Sequence, residues 1–327
     1  MAKPRGIEEK PHRSPSIPRA SDDLGIADLE RLRRKIRGMR REAGDPLRST
    51  TASKRPKSLK TCPAACSSQA MARPPVLFSK LEDRGEPLPL GEAVAGTEVL
   101  SPEGLAAYLV QTRLGGLGEP LLKLEAELLA EAVRSGSGLA LRLAELLPDA
   151  THAVTDLMFL DLETTGLGST PLFLIGLMVW DDGGLVVRQY FARDYSEEPA
   201  VLRLFLHDAR DRKALVSFNG KAFDLPYLRM RAAATAVPFV LEPAHLDLLH
   251  ESRRVWGEAV PDCKLQTLES LICGRARDAD LSGSDIPDAY HEFVRTGDAR
   301  RIADILRHNF LDLVTMAELL VRLPLPA

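Results

Sequence analysis

The sequence predicts an α/β fold in which a mixed sheet is flanked by helices. Three observations carry that expectation. Strand-length apolar runs at 157–163, 171–180 and 185–192 follow one another through short connections, which implies an antiparallel three-strand meander. A helical stretch at 199–208 then leads to a further buried apolar run at 214–218. From residue 226 onward, helical patterning dominates, at 226–234, about 245–255, 265–273, 287–295 and 298–322. Strands first and helices after describe a sheet covered by helices.

The rest of the 327-residue chain falls into two parts. Residues 1–75 form a basic N-terminal region expected to be disordered, rich in Pro, Lys, Arg and Ser. One short helix is predicted there over 28–42, because Leu29, Leu32, Ile36 and Met39 recur at spacings of three and four. Its role is local docking or, with Arg31, Arg33, Arg34 and Arg37, contact with phosphate. Residues 44–75 read as a linker, and Cys62-x₃-Cys66 within it lacks partners at zinc-ligand spacing. Residues 76–150 are an accessory segment. Candidate strands at 96–100 and 106–112 flank the turn signal Ser101-Pro102-Glu103-Gly104, and helices are predicted at 121–133 and 139–147. Residues 151–327 make the main domain.

Composition narrows the function classes. An apolar fraction of 45% and a charged fraction of 27% are those of a globular protein. No apolar run approaches the roughly 20 residues that span a bilayer, and the N-terminus lacks the apolar core of a secretory signal. Four scattered cysteines do not make a disulfide framework. A cytoplasmic location away from membranes is therefore the default expectation. The net charge of −3 hides an asymmetry: residues 1–73 carry 18 Lys+Arg against 8 Asp+Glu, whereas 74–327 carry 25 against 38. A basic arm on an acidic body is consistent with nucleic-acid contact or with a solvated tail.

Three motifs bear chemistry. In Phe159-Leu160-Asp161-Leu162-Glu163-Thr164-Thr165-Gly166-Leu167, Asp161 and Glu163 are two residues apart on a strand and so project to one face. Two carboxylates at the end of a buried strand repel each other, and a hard cation such as Mg²⁺ or Mn²⁺ would relieve them. A surface acidic pair would look the same. In Phe218-Asn219-Gly220-Lys221-Ala222-Phe223-Asp224, the carboxylate of Asp224 lies where a strand hands over to a helix, facing the same crevice or capping the helix. In His308-Asn309-Phe310-Leu311-Asp312, His308 and Asp312 are four apart on one helical face.

Taken together, D-x-E, N-x₃-F-D and H-x₃-D resemble the DEDD exonucleases of the ribonuclease H-like superfamily. The closer likeness is to the bacterial YprB-like proteins. It extends over 157–323 and includes DLETTGL, FNGKAFDLPYL, HLDLLH followed by RRVW, PDCKLQTLE and HNFLD. The resemblance implies a metal-dependent 3′–5′ exonuclease acting on single-stranded DNA or RNA. Asp161, Glu163, Asp224 and Asp312 would hold two Mg²⁺ or Mn²⁺ ions, and His308 would orient or deprotonate the attacking water. Asn219 and Lys221 are candidates for holding the strand terminus or a phosphate. In one respect the chain departs from the family pattern: three residues, rather than four, separate His308 from Asp312.

Arginine pairs at 229/231, 253/254, 275/277 and 300/301 offer phosphate contacts. Arg253 and Arg254, beside Trp256, are preferred because an aromatic ring can stack on a base. His245, Asp247 and His250 form a second group in a predicted helix, read either as lining the substrate path or as packing plus a solvent face. Two other function classes fit the same residues: a ribonuclease H-type endonuclease, and a non-catalytic nucleic-acid-binding protein.

Overall fold

A computed structural model describes residues 85–114, 138–147, 153–166, 168–181, 184–277 and 280–323. The helices expected at 28–42 and 121–133, and the Cys62/Cys66 pair, lie outside these residues.

Seven strands make one sheet: β1 (Thr97–Leu100), β2 (Ala106–Arg113), β3 (Leu157–Thr164), β4 (Leu172–Asp181), β5 (Gly184–Phe191), β6 (Ala214–Ser217) and β7 (Ala244–Asp247). Their order is β1-β2-β5-β4-β3-β6-β7. The meander β3-β4-β5 is antiparallel, as its short connections require. The β1–β2 hairpin is a continuation of that sheet, because β2 pairs with β5 antiparallel from Tyr108–Phe191 to Arg113–Val186. On the other side, β6 pairs parallel with β3, and β7 parallel with β6. The sheet is therefore mixed.

The helices are α1 (Leu90–Ala93), α2 (Gly138–Leu146), α3 (Glu198–Ala209), α4 (Asp224–Ala234), α5 (Leu248–Trp256), α6 (Leu265–Leu268), α7 (Ile286–Thr296) and α8 (Arg300–Arg322); a π-helical turn, Glu269–Cys273, follows α6. Among the described residues, none is long and apolar enough to cross a membrane.

β3 is apolar throughout its first half because both of its faces are covered. Met158, Leu160 and Leu162 join a core with Phe205 of α3 and Leu228 of α4, while Leu157 and Phe159 join a second core with Phe310, Leu313 and Ala317 of α8. Alternate side chains of one strand thus enter two cores, as expected for a strand in the middle of a two-sided sheet. The long helix α8 lies across β3, β4 and β5 on the face that Asp161 and Glu163 share.

Two expectations need correction. The helix predicted at about 245–255 begins only at Leu248, since Ala244–Asp247 pairs with β6 as a strand. His245 and Asp247 are therefore not on a helix with His250. Asp247 instead caps α5, accepting a hydrogen bond from Leu249 N at 3.0 Å. Trp256 is 3% exposed and packs in the second core, so it is closed to a base; its position at the end of an amphipathic helix turns it inward.

Candidate active site

The site forms because neighbouring strands differ in length. β6 pairs with β3 only along Leu157–Phe159, whereas β3 continues to Thr164. Asp161 and Glu163 therefore project beyond the end of β6, at the carboxyl end of the parallel strands, where open α/β sheets leave a crevice. The chain leaving β6 turns through 218–223 and enters α4 with Asp224 as its first residue. Asp224 is thus in the helix's first turn, and the cap position is Phe223, which makes no side-chain cap.

The turn before Asp224 is held from outside. Asp247 Oδ1 accepts from Asn219 N at 2.8 Å, and its Oδ2 accepts from Lys221 N at 3.0 Å. Asn219 adopts φ +67°, a left-handed conformation that asparagine tolerates better than most residues. Both backbone groups are spent on the turn, and the side chains of Asn219 and Lys221 are solvent-exposed beside Asp224. His245 supports the same corner, with Nε2 2.7 Å from Ser217 Oγ, and burial lowers its pKa to about 4.

From the other side α8 supplies His308, Asn309 and Asp312. Asn309 is fully buried. Its Nδ2 donates to Asp161 Oδ2 at 2.8 Å, and its Oδ1 accepts from Gln189 Nε2 at 2.8 Å. The approach depends on Gly176, the residue across from Asp161 on β4. A Cβ there would lie 2.2 Å from Asn309 Oδ1. His308 is held at both ring nitrogens, Nδ1 lying 3.0 Å from Asp280 Oδ2 and Nε2 3.5 Å from Asp312 Oδ2.

Burial and mutual repulsion shift the ionisation of these groups. Burial raises the Asp161 carboxyl well above its usual range, and the charges of Asp312, Glu163 and Asp224 add to the rise. Burial pushes Glu163 up to about 8; His308 opposes this, while Asp312, Asp224 and Asp280 reinforce it. Asp224 is pushed up to about 7, first by burial and then by Asp247. For His308, burial opposes the charged ring, but the hydrogen bond to Asp280 and the charges of Asp312 and Glu163 outweigh it, giving about 9. Four carboxylates and one imidazole thus share one field.

A cation already lies at its edge. Arg277, read from the sequence as part of a phosphate-contacting pair, is buried and binds Glu269 Oε2 at 2.6 Å, Asp280 Oδ2 at 3.0 Å and Asp312 Oδ1. Among the described residues, no three His, Cys, Asp or Glu side chains stand as a ready metal cage. The reason is visible in the contacts: Asp312 is turned to Arg277 and His308, and Asp161 to Asn309. The donor set nevertheless fits a hard divalent ion, being all carboxylate oxygen and short of positive charge around Asp161, Glu163 and Asp224.

Other sequence candidates have different places. Arg253 and Arg254 are exposed on α5, and Arg254 pairs with Glu251 at 2.6 Å. Arg231 is buried, forming two 2.7 Å bonds to Glu198 and a third to Ser169 O. Because Glu198 also accepts from Leu172 N at 2.8 Å, this pair ties down the return to β4 after the D-x-E strand. Sequence reading missed Asn309, Gln189 and Asp280, and gave Arg277 to phosphate rather than to the carboxylates it binds. Asn309 was within reach, lying three residues before Asp312 on the same helical face.

Comparison with known proteins agrees with this architecture. A family model described as the RNase_H superfamily matches residues 158–324. The chain belongs to the ribonuclease H superfamily. Its matched region takes in the carboxylates of β3 and α4 and the HNFLD segment of α8. The chain is also similar to the uncharacterized protein YprB of Bacillus subtilis (strain 168), 32% identical over 174 residues. That alignment covers 51% of this chain and 42% of YprB, so the chain spans less than half of that relative's length. A YprB-like ribonuclease H-like domain is therefore present. Among solved structures, the family B DNA polymerase of the hyperthermophilic archaeon Pyrobaculum calidifontis aligns over 50% of this chain and 24% of its own, with 18% identity and a TM-score of 0.42. Superfamily membership supports a nuclease-like function.

Proposed function

We propose that the chain is a metal-dependent 3′–5′ exonuclease that hydrolyses phosphodiester bonds in single-stranded DNA or RNA. The observation that carries this reading is the geometry that brings Asp161 and Glu163 of β3, Asp224 at the start of α4, and His308 and Asp312 of α8 together beyond the end of β6, with Asn309 Nδ2 2.8 Å from Asp161 Oδ2. Two Mg²⁺ or Mn²⁺ ions held by the four carboxylates would supply Lewis acidity at the scissile phosphate and a more acidic attacking water. Asn309 donates to Asp161 Oδ2 and so fixes that carboxylate in one orientation. His308 orients or deprotonates the attacking water through Nε2, the nitrogen turned toward the cluster. Asn219 and Lys221, exposed at the turn beside Asp224, meet the strand terminus or its phosphate, and Arg253 and Arg254 contact phosphates further along the strand.

Residues 151–327 carry the chemistry, residues 76–150 extend the sheet through the β1–β2 hairpin, and the basic residues of 1–75 recruit nucleic acid.

The test is release of mononucleotides from 5′-labelled single-stranded DNA and RNA with Mg²⁺, Mn²⁺ or EDTA. A protein carrying Asp161→Ala and Asp312→Ala, prepared identically, controls for contaminating nucleases. A metal-dependent ladder shortening from the 3′ end, absent in the variant, is the expected result. Internal cuts would move the chain to the endonuclease class. Tight binding without cleavage, retained in the variant, would leave a binding protein.

A further inference from the structure

We propose that Asp280, a residue outside every motif of the sequence, positions His308 for proton transfer at the carboxylate cluster; the inference rests on the nuclease reading above. His308 is 8% exposed, and each of its ring nitrogens faces a carboxylate. The two contacts differ. Nδ1 lies 3.0 Å from Asp280 Oδ2, a hydrogen bond, whereas Nε2 lies 3.5 Å from Asp312 Oδ2, beyond good bonding distance. Nδ1–H donated to a carboxylate fixes the rotation of the ring and assigns its tautomer, leaving Nε2 as the nitrogen presented to the cluster.

Asp280 is itself held rigidly. The oxygen that accepts from His308 also accepts from Arg277 Nη1 at 3.0 Å and from Gln266 Nε2 at 3.2 Å. Donors from three separate places, α6, the segment after the π turn and α8, therefore converge on Oδ2. Rotating the carboxylate would break all three bonds at once. Arg277 continues to Asp312, so the same guanidinium references Asp280 to a carboxylate of the cluster. The arrangement also bears on the His308–Asp312 spacing. One helical turn separates the two residues, so the backbone alone sets only the face on which the ring lies. Asp280 sets the direction in which the ring points.

The experiment combines kinetics with a signal that does not require turnover. Asp280→Ala is expected to lower kcat about 10- to 100-fold, the usual range for removing the partner that orients a functional histidine, with KM unchanged within about twofold. Asp280→Asn, whose amide oxygen still accepts from Nδ1–H, recovers most of the loss. In a His308→Ala background, either substitution changes kcat by less than about twofold, since residues acting as one unit are not additive. In proton NMR spectra, the protected downfield Nδ1–H resonance, identified by its absence in His308→Ala, disappears in Asp280→Ala and persists in Asp280→Asn. Asp280→Leu, which keeps the branched shape of the side chain, serves where the alanine protein does not fold. A kcat near that of the parent in the alanine or leucine variant, equal losses with and without His308, or an unchanged resonance would overturn the proposal. A parent protein that cleaves no nucleic acid would overturn the nuclease reading instead, and the resonance would still decide whether Asp280 orients His308.

Discussion

Raising the pH should destabilise the metal-free protein, and the site fixes the size of the effect. Glu163 moves from an ordinary 4.5 to about 8 on folding, and Asp224 from 3.8 to about 7. In each case the folded protein keeps a proton that the unfolded chain has already released. Deprotonation therefore favours unfolding, and stability falls as pH rises between the two values. His308 acts in the same direction: its contribution is complete below 6.5 and is lost as pH climbs through about 9. At about 1.36 kcal/mol per pH unit, Glu163 alone costs about 5 kcal/mol by pH 9. For a domain of this size that is roughly 10–20 °C in Tm. Thermal unfolding followed by circular dichroism in EDTA, from pH 5 to 9, should show a continuous decline. Glu163→Gln should match the parent near pH 5 and exceed it at pH 9, because its amide cannot ionise. Added Mg²⁺ should raise the parent's Tm most at high pH, where the cluster lacks most countercharge, and should do less for the variant. A parent Tm in EDTA that is flat or rising between pH 5 and 8.5 would refute the reasoning, since the carboxylates could not then be neighbours in a buried field.

Three further outcomes follow from particular contacts. Gly176→Ala places a Cβ 2.2 Å from Asn309 Oδ1; the expected cost is about 1–3 kcal/mol, with turnover falling because Asp161 loses its hydrogen-bond donor. An alanine protein with the parent's Tm and rate would remove Asn309 from the site. Arg277→Met strips a shared guanidinium from Glu269, Asp280 and Asp312. In EDTA the loss should be about 3–5 kcal/mol, the range for breaking a buried ion pair, and Mg²⁺ should restore part of it; calorimetry with and without the ion reads both. Asp247→Ala leaves the amides of Asn219, Lys221 and Leu249 without their acceptor. Denaturant unfolding should show a loss of about 1–3 kcal/mol, accompanied by faster amide exchange at 219–221.

What the sequence determined by itself is local. The run 157–163 is apolar on both alternating faces and ends in D-x-E, so its strand character, its burial and the shared direction of its carboxylates were all legible. The meander was legible because its connections are too short for anything but antiparallel strands. The β1–β2 hairpin announced itself through Ser101-Pro102-Glu103-Gly104, and the pairing of His308 with Asp312 through helical spacing. Long-range decisions were not legible. The stretch 245–247 reads as part of a helix in isolation, and only the open edge of β6 made it a strand, turning Asp247 from a residue grouped with His250 on a helix into the clip of the Asn219 turn. Trp256 and Arg231 have the composition of nucleic-acid contacts, yet the tertiary structure buries one in a core and spends the other on Glu198. Arg277 and Asp280 lie 35 and 32 residues before Asp312 in a segment without periodicity. No spacing rule reaches across such a distance. A periodic element fixes which way its own side chains face, because backbone geometry repeats over a few residues; which groups meet across a crevice depends on where the sheet and α8 place their ends, and only the folded chain decides that.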